Sequence, residues 1–163
     1  MTKFYLALIL IIFTINHSSA VEGQCYFEEV YKNGSTQNGL LLISDNQIRY
    51  EYFDERLFTI IYSNNTFYLV KNSVKDQFEK IDDSRKDIFK NLTDIIYKYP
   101  NIENQFEIDG NNIEVDKSLN NDYPKRISIK SSRVNLSIYL FDCLSKPINK
   151  LFFKINPLFE YFR

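Results

Sequence analysis

From Gly39 to Phe78 the chain sets out its large apolar residues in short bursts, Leu40–Ile43, Ile48–Phe53, Leu57–Tyr62 and Phe67–Val70, each ended by a polar cluster. Bursts of this length, rich in Ile, Tyr, Phe, Val and Thr, are too short for ordinary helices and have the composition of strands. The spacing therefore predicts an antiparallel meander. Between the last two bursts, Ser63-Asn64-Asn65 supplies residues that tolerate positive φ, as a tight hairpin turn requires.

A second strand block follows. Phe106 and Ile108 face Ile113 and Val115 across Asp109-Gly110-Asn111-Asn112, and Ile127 and Ile129 lead through Ser131-Ser132 into Val134–Leu140. There Val134, Leu136, Ile138 and Leu140 alternate with polar or amphipathic residues, the pattern of a half-buried strand. Between the two blocks, Ile88, Leu92, Ile95, Ile96 and Tyr99 recur at helical spacing. Ser84 and Asp87 resemble a capping box with Asp in place of Glu or Gln, and Pro100 is a stop signal, so one amphipathic helix of about four turns is expected. The aromatic-rich end of the chain, 151–163, needs a surface to pack on.

Residues 1–20 place Lys3 before an apolar run from Phe4 to Phe13 and close on Ser18-Ser19-Ala20, with small residues at the −3 and −1 positions of a cleavage site. This reads as a secretory signal peptide cleaved before Val21, since a run of that length falls well short of the roughly 20 residues a spanning helix needs. Residues 21–163 then form a single domain secreted from the cytoplasm. Glu22-Gly23-Gln24 lack the small apolar run that precedes a lipid-modified cysteine, so the protein is not expected to be a lipoprotein itself.

Charge narrows the function. With 20 Lys+Arg against 21 Asp+Glu there is no basic field to neutralise phosphates, and no nucleic-acid partner is expected. The only His, His17, lies in the signal segment, so the mature domain has no imidazole. That removes Ser-His-Asp and Cys-His triads and His-ligated zinc. The Gly residues form no phosphate-cradling loop, and the carboxylate pairs Glu28-Glu29 and Asp82-Asp83 read as solvated charge. No enzyme activity, catalytic residue, metal or cofactor is expected. Cys25 and Cys143, one near each end of the mature chain, are either a disulfide or two buried thiols, structural in both cases. In residues 21–163, four Asn-x-Ser/Thr sequons, at Asn33, Asn64, Asn91 and Asn135, are weak support for a eukaryotic secretory origin.

The strands from 40 to 70 carry large residues on both faces, more than a one-sided sheet uses. Either the sheet closes on its own core or it curves around an apolar cavity. A secreted sheet with an apolar interior and no catalytic groups suits a carrier of water-insoluble molecules. The alternative is a non-enzymatic secreted β domain, a surface, adhesion or interaction module with a filled core.

The order of segments resembles the LolA family of periplasmic lipoprotein carriers, with its LolA/LolB-like lipoprotein-binding fold. A Gly-led strand is followed by Ile48-Arg49-Tyr50-Glu51-Tyr52, Ile60-Ile61, the turn Ser63-Asn64-Asn65, Phe67-Tyr68-Leu69-Val70 and Val74-Lys75-Asp76-Gln77-Phe78. The helix at 84–99 stands where that family places a lid, and Phe152-Phe153-Lys154-Ile155-Asn156-Pro157 resembles its C-terminal segment. The resemblance implies an α+β fold: a curved antiparallel sheet forming an incomplete β-barrel, capped by helices. It also implies a monomeric periplasmic carrier that takes lipoprotein acyl chains from an inner-membrane lipoprotein-releasing ABC transporter to an outer-membrane acceptor. The expected cavity wall is Leu40, Leu42, Ile48, Tyr50, Tyr52, Ile60, Leu136, Ile138 and Leu140, with Leu92, Ile95 and Ile96 under the lid; each is equally readable as plain core. Arg49 is the candidate lid latch, although strand alternation sets it opposite Ile48, Tyr50 and Tyr52, where it would pair with Glu51 or Asp54.

Overall fold

The computed structural model describes residues 22–74, 77–81, 86–119, 122–132 and 134–155. The signal segment, Ser84 of the expected cap, Lys75-Asp76, Asp82-Asp83 and the chain end from Asn156 lie outside the described residues.

Among the described residues, ten strands and one α-helix follow in order: β1 (Gly23–Tyr31), β2 (Thr36–Ser44), β3 (Gln47–Tyr52), β4 (Phe58–Ser63), β5 (Thr66–Lys71), β6 (Phe78–Lys80), α1 (Lys86–Lys98), β7 (Gln105–Ile108), β8 (Asn111–Asp116), β9 (Arg126–Lys130) and β10 (Asn135–Ser145). A short 3-10 turn, Lys150–Phe153, comes last. All strands belong to one antiparallel sheet ordered β6-β5-β4-β3-β2-β1-β10-β9-β8-β7. The chain starts in the middle, meanders to one edge, passes through α1 to the far edge and meanders back until β10 pairs with β1.

This corrects the expected α+β barrel capped by helices. The described protein is a single open sheet, mostly strand, whose edges β6 and β7 are not joined, and α1 is its one α-helix among the described residues. The physical reason lies in β1 and the length of β10. Both sit at the centre and join the two meanders edge to edge, so the strands extend one sheet rather than closing it.

The hairpins form where the sequence supplies residues that accept the left-handed region. Asn64 and Asn65 have φ of 51° and 58°, and Asp109 and Gly110 have 51° and 72°, the paired positive values whose twist matches antiparallel strands. Alternation then sorts the side chains. Phe27, Leu41, Tyr50 and Ile60 share the inner face with Leu140, Ile127 and Val115 on the other half, and α1 buries Leu92, Ile95 and Ile96 against it. Tyr97 donates a 3.3 Å hydrogen bond to the Ser44 carbonyl, tying α1 to the end of β2.

The outer face is covered in part by the 3-10 turn, which packs on β3 and β4 and buries Phe153. Leu42, Arg49 and Ile61 lie side by side there in register. Further along the same face, Tyr26, Phe53 and Phe141 form an exposed aromatic strip, with ring centroids 6.2 and 6.1 Å from Tyr26.

Cys25 and Cys143 form a disulfide. Gln24 faces Leu144 but Tyr26 faces Phe141, so β10 carries one extra residue at this point. Asp142 takes the strained backbone of the bulge, with φ of 48°. The extra residue shifts the alternation of β10 by one, which turns Cys143 rather than Asp142 toward Cys25.

Candidate functional site

The alternation of β1 places Cys25, Phe27, Glu29 and Tyr31 on the inner face, so a carboxylate stands in the middle of an apolar surface. Glu29 is only 4% exposed. Its register neighbours are Ile138 on β10 and Gln37 on β2. A carboxylate so placed is stable only if its lone pairs are met by donors. Three tyrosines supply them. Tyr50 donates to Oε1 at 2.8 Å, Tyr52 donates to Oε1 at 3.0 Å and to Oε2 at 3.1 Å, and Tyr31 donates to Oε2 in a short hydrogen bond.

Tyr50 and Tyr52 stand on β3 and reach Glu29 over β2, which is possible because β2 has no side chain at Gly39. A Cβ there would lie 2.3 Å from the Phe27 ring and 2.0 Å from the Glu51 carbonyl oxygen. In that gap Phe27 stacks on Tyr50, with centroids 3.9 Å apart and planes 18° apart, and meets Tyr52 edge-on at 5.5 Å. Burial is the main cause that lifts the hydroxyls of Tyr50, Tyr52 and Tyr31 well above the usual phenol range, with the Glu29 charge and hydrogen bonds adding to it.

Beside this cluster an open cavity of about 770 Å³ lies between the inner face and α1. Glu29, Tyr31, Tyr50 and Tyr52 form its floor; Ile88, Phe89 and Leu92 of α1 face Ile129, Leu136 and Ile138 of the sheet, with Leu57, Phe58 and Val134 completing the apolar wall. Lys32, Asn33, Ser35, Ser131, Ser132 and Asn135 edge the cavity with polar groups. The volume is within the roughly 300–1,000 Å³ usual for small-molecule sites.

Of the expected wall residues, Tyr50, Tyr52, Leu92, Leu136 and Ile138 line this cavity. Ile48, Ile60, Ile95, Ile96 and Leu140 belong to the packed core and are not among its lining. Leu40 and Leu42 stand on the outer face, because Leu41 and Ile43 take the inward positions of β2. Arg49 is also on the outer face. Its Nε pairs with Glu51 Oε2 at 2.7 Å, and Nη1 donates to the Phe152 carbonyl at 3.1 Å, so it holds the 3-10 turn rather than the helix. Reading the residues missed Glu29, Tyr31, Phe58, Ile88, Phe89 and Ile129 as lining. The available signal was the alternation Cys25, Phe27, Glu29, Tyr31, which sets Glu29 on an apolar face rather than in solvent.

Among the sequons, Asn33, Asn64 and Asn135 are exposed, while Asn91 is buried on α1 with neither side-chain polar atom partnered. Among the described residues no three His, Cys, Asp or Glu side chains gather as metal ligands, and no helix is long and apolar enough to cross a membrane. Comparison with family models and with curated proteins yields no match.

Proposed function

We propose that the protein is a non-enzymatic carrier that shelters the apolar part of a guest in the cavity between the sheet and α1. The observation that supports this is the cavity itself: the side chains of two separate elements stop short of one another and leave an open apolar cleft in a domain small enough to have closed it. Burying alkyl groups there gains about 0.8 kcal/mol per CH2 removed from water, which suffices to hold a chain reversibly in solution. The finer reading rests on the sequence resemblance. In it the guest is the acyl portion of a lipoprotein, the compartment is the periplasm, and the partners are a releasing ABC transporter and an outer-membrane acceptor.

The alternative interaction module would draw on the outer strip of Tyr26, Phe53 and Phe141. It leaves the cavity without a role, and the carrier reading is preferred for that reason. Binding of a fluorescent acyl probe to the secreted form tests it. Leu136→Glu places a charge on the half-buried wall and should weaken uptake about tenfold or more while the near-UV circular dichroism is kept. Undiminished uptake by that variant, or no uptake by the unmutated protein, overturns the proposal.

A further inference from the structure

The floor of the cavity has a polarity that selects among amphiphiles. Every hydroxyl proton of Tyr31, Tyr50 and Tyr52 is committed to Glu29. A phenol has one proton to give, so what these oxygens still offer is lone pairs, and an ionised carboxylate offers nothing else. These four members thus offer acceptors and no free donor, and the amide nearest to them in register is that of Gln37, which also lines the cavity. Hydrogen bonds in series polarise one another, so each phenol oxygen is a better acceptor for having donated to the carboxylate.

None of the ion pairs among the described residues involves Glu29. The one basic side chain of the lining, Lys32, is exposed at the edge. The rings of the donating phenols pack edge-on, Tyr50 on Tyr52 at 5.4 Å and Tyr52 on Phe58 at 5.6 Å between centroids.

We propose that the cavity takes amphiphiles whose head is a protonated amine, seated on the Glu29–tyrosine floor with the alkyl tail between α1 and the sheet, and that it disfavours amphiphiles with a carboxylate head. This rests on the carrier reading and specifies its guest. The nitrogen supplies both the donors and the positive charge that the floor lacks, whereas a carboxylate would bring acceptors to acceptors and a second negative charge to Glu29.

The test is displacement of a fluorescent acyl probe by three ten-carbon competitors: decylamine, 1-decanol and decanoate. Decylamine should bind about tenfold or more tightly than decanoate, with decanol between them, as expected for a charge-assisted hydrogen bond gained or lost. Glu29→Gln should collapse the preference for the amine over the alcohol. The ranking in the unmutated protein decides the matter by itself if Glu29→Gln does not fold. Equal or tighter binding of decanoate, or a folded Glu29→Gln that keeps the full amine preference, overturns the headgroup assignment and leaves the carrier reading standing. Failure of all three to bind overturns both.

Discussion

Tyr50 donates a 2.8 Å hydrogen bond to Glu29 from two strands away, over a β2 that carries no side chain at the crossing point. The bond joins β1 to β3 independently of the backbone ladder and fixes the Tyr50 ring against Phe27. Tyr50→Phe removes the donor and keeps the ring. A hydrogen bond to a charged group contributes about 1.5–3 kcal/mol, so a loss of that size is expected in chemical denaturation. No change in the denaturation midpoint would show that the buried carboxylate does not depend on this phenol.

Gly39 allows that reach through its lack of a side chain rather than through backbone freedom. Gly39→Ala would set a Cβ against both the Phe27 ring and a β3 carbonyl oxygen. Forcing one methyl into a packed position costs about 1–3 kcal/mol and sometimes more. Thermal unfolding of Gly39→Ala should fall accordingly, and the near-UV circular dichroism of the aromatic cluster should change with it. A variant as stable as the parent, with an unaltered aromatic spectrum, would contradict the assignment.

The same cluster governs behaviour in alkali. Tyr31, Tyr50 and Tyr52 have folded-state pKa values raised above the ordinary phenol value near 10, chiefly by burial and further by Glu29. A group whose folded pKa is raised contributes stability that is fully present below its unfolded pKa and is lost as pH climbs toward the folded value. Stability should therefore hold up to about pH 10 and fall steadily above it. These three phenols should release their protons together with unfolding. Tyrosinate absorbance and circular dichroism recorded in one titration check this: tyrosinate formation by every phenol with the fold intact would refute it.

Much of the fold is legible in the residues because its signals are local. The bursts from Leu40 to Val70 and the alternation from Val134 to Leu140 match β2–β5 and β10 except at Phe53, Leu57 and Val134, each one residue outside its strand, and the stripe from Ile88 to Tyr99 falls on α1 as far as Ile96. The Asn64-Asn65 turn has the positive φ values its composition suggests. Strand β1 escaped because Glu28-Glu29 reads as solvated polarity, although every second residue from Cys25 to Tyr31 belongs to one face. The outward direction of Leu40 and Leu42 is hidden for a different reason. Leu40, Leu41, Leu42 and Ile43 are all apolar, and alternation cannot choose a face when both take apolar residues. Whether the sheet curves into an incomplete barrel or stays open is a matter of long-range pairing. Which strand meets which edge is decided by β1 with β10, residues separated by most of the chain, and no local period records it.

The disulfide joins residues 118 positions apart, so nearly the whole domain is one covalent ring with its seam at the centre of the sheet. A protease that nicks any exposed hairpin within that ring opens the circle without parting it, and the two fragments stay bound through the strands that start and finish the fold. Integrity of the sheet is thereby uncoupled from continuity of its backbone.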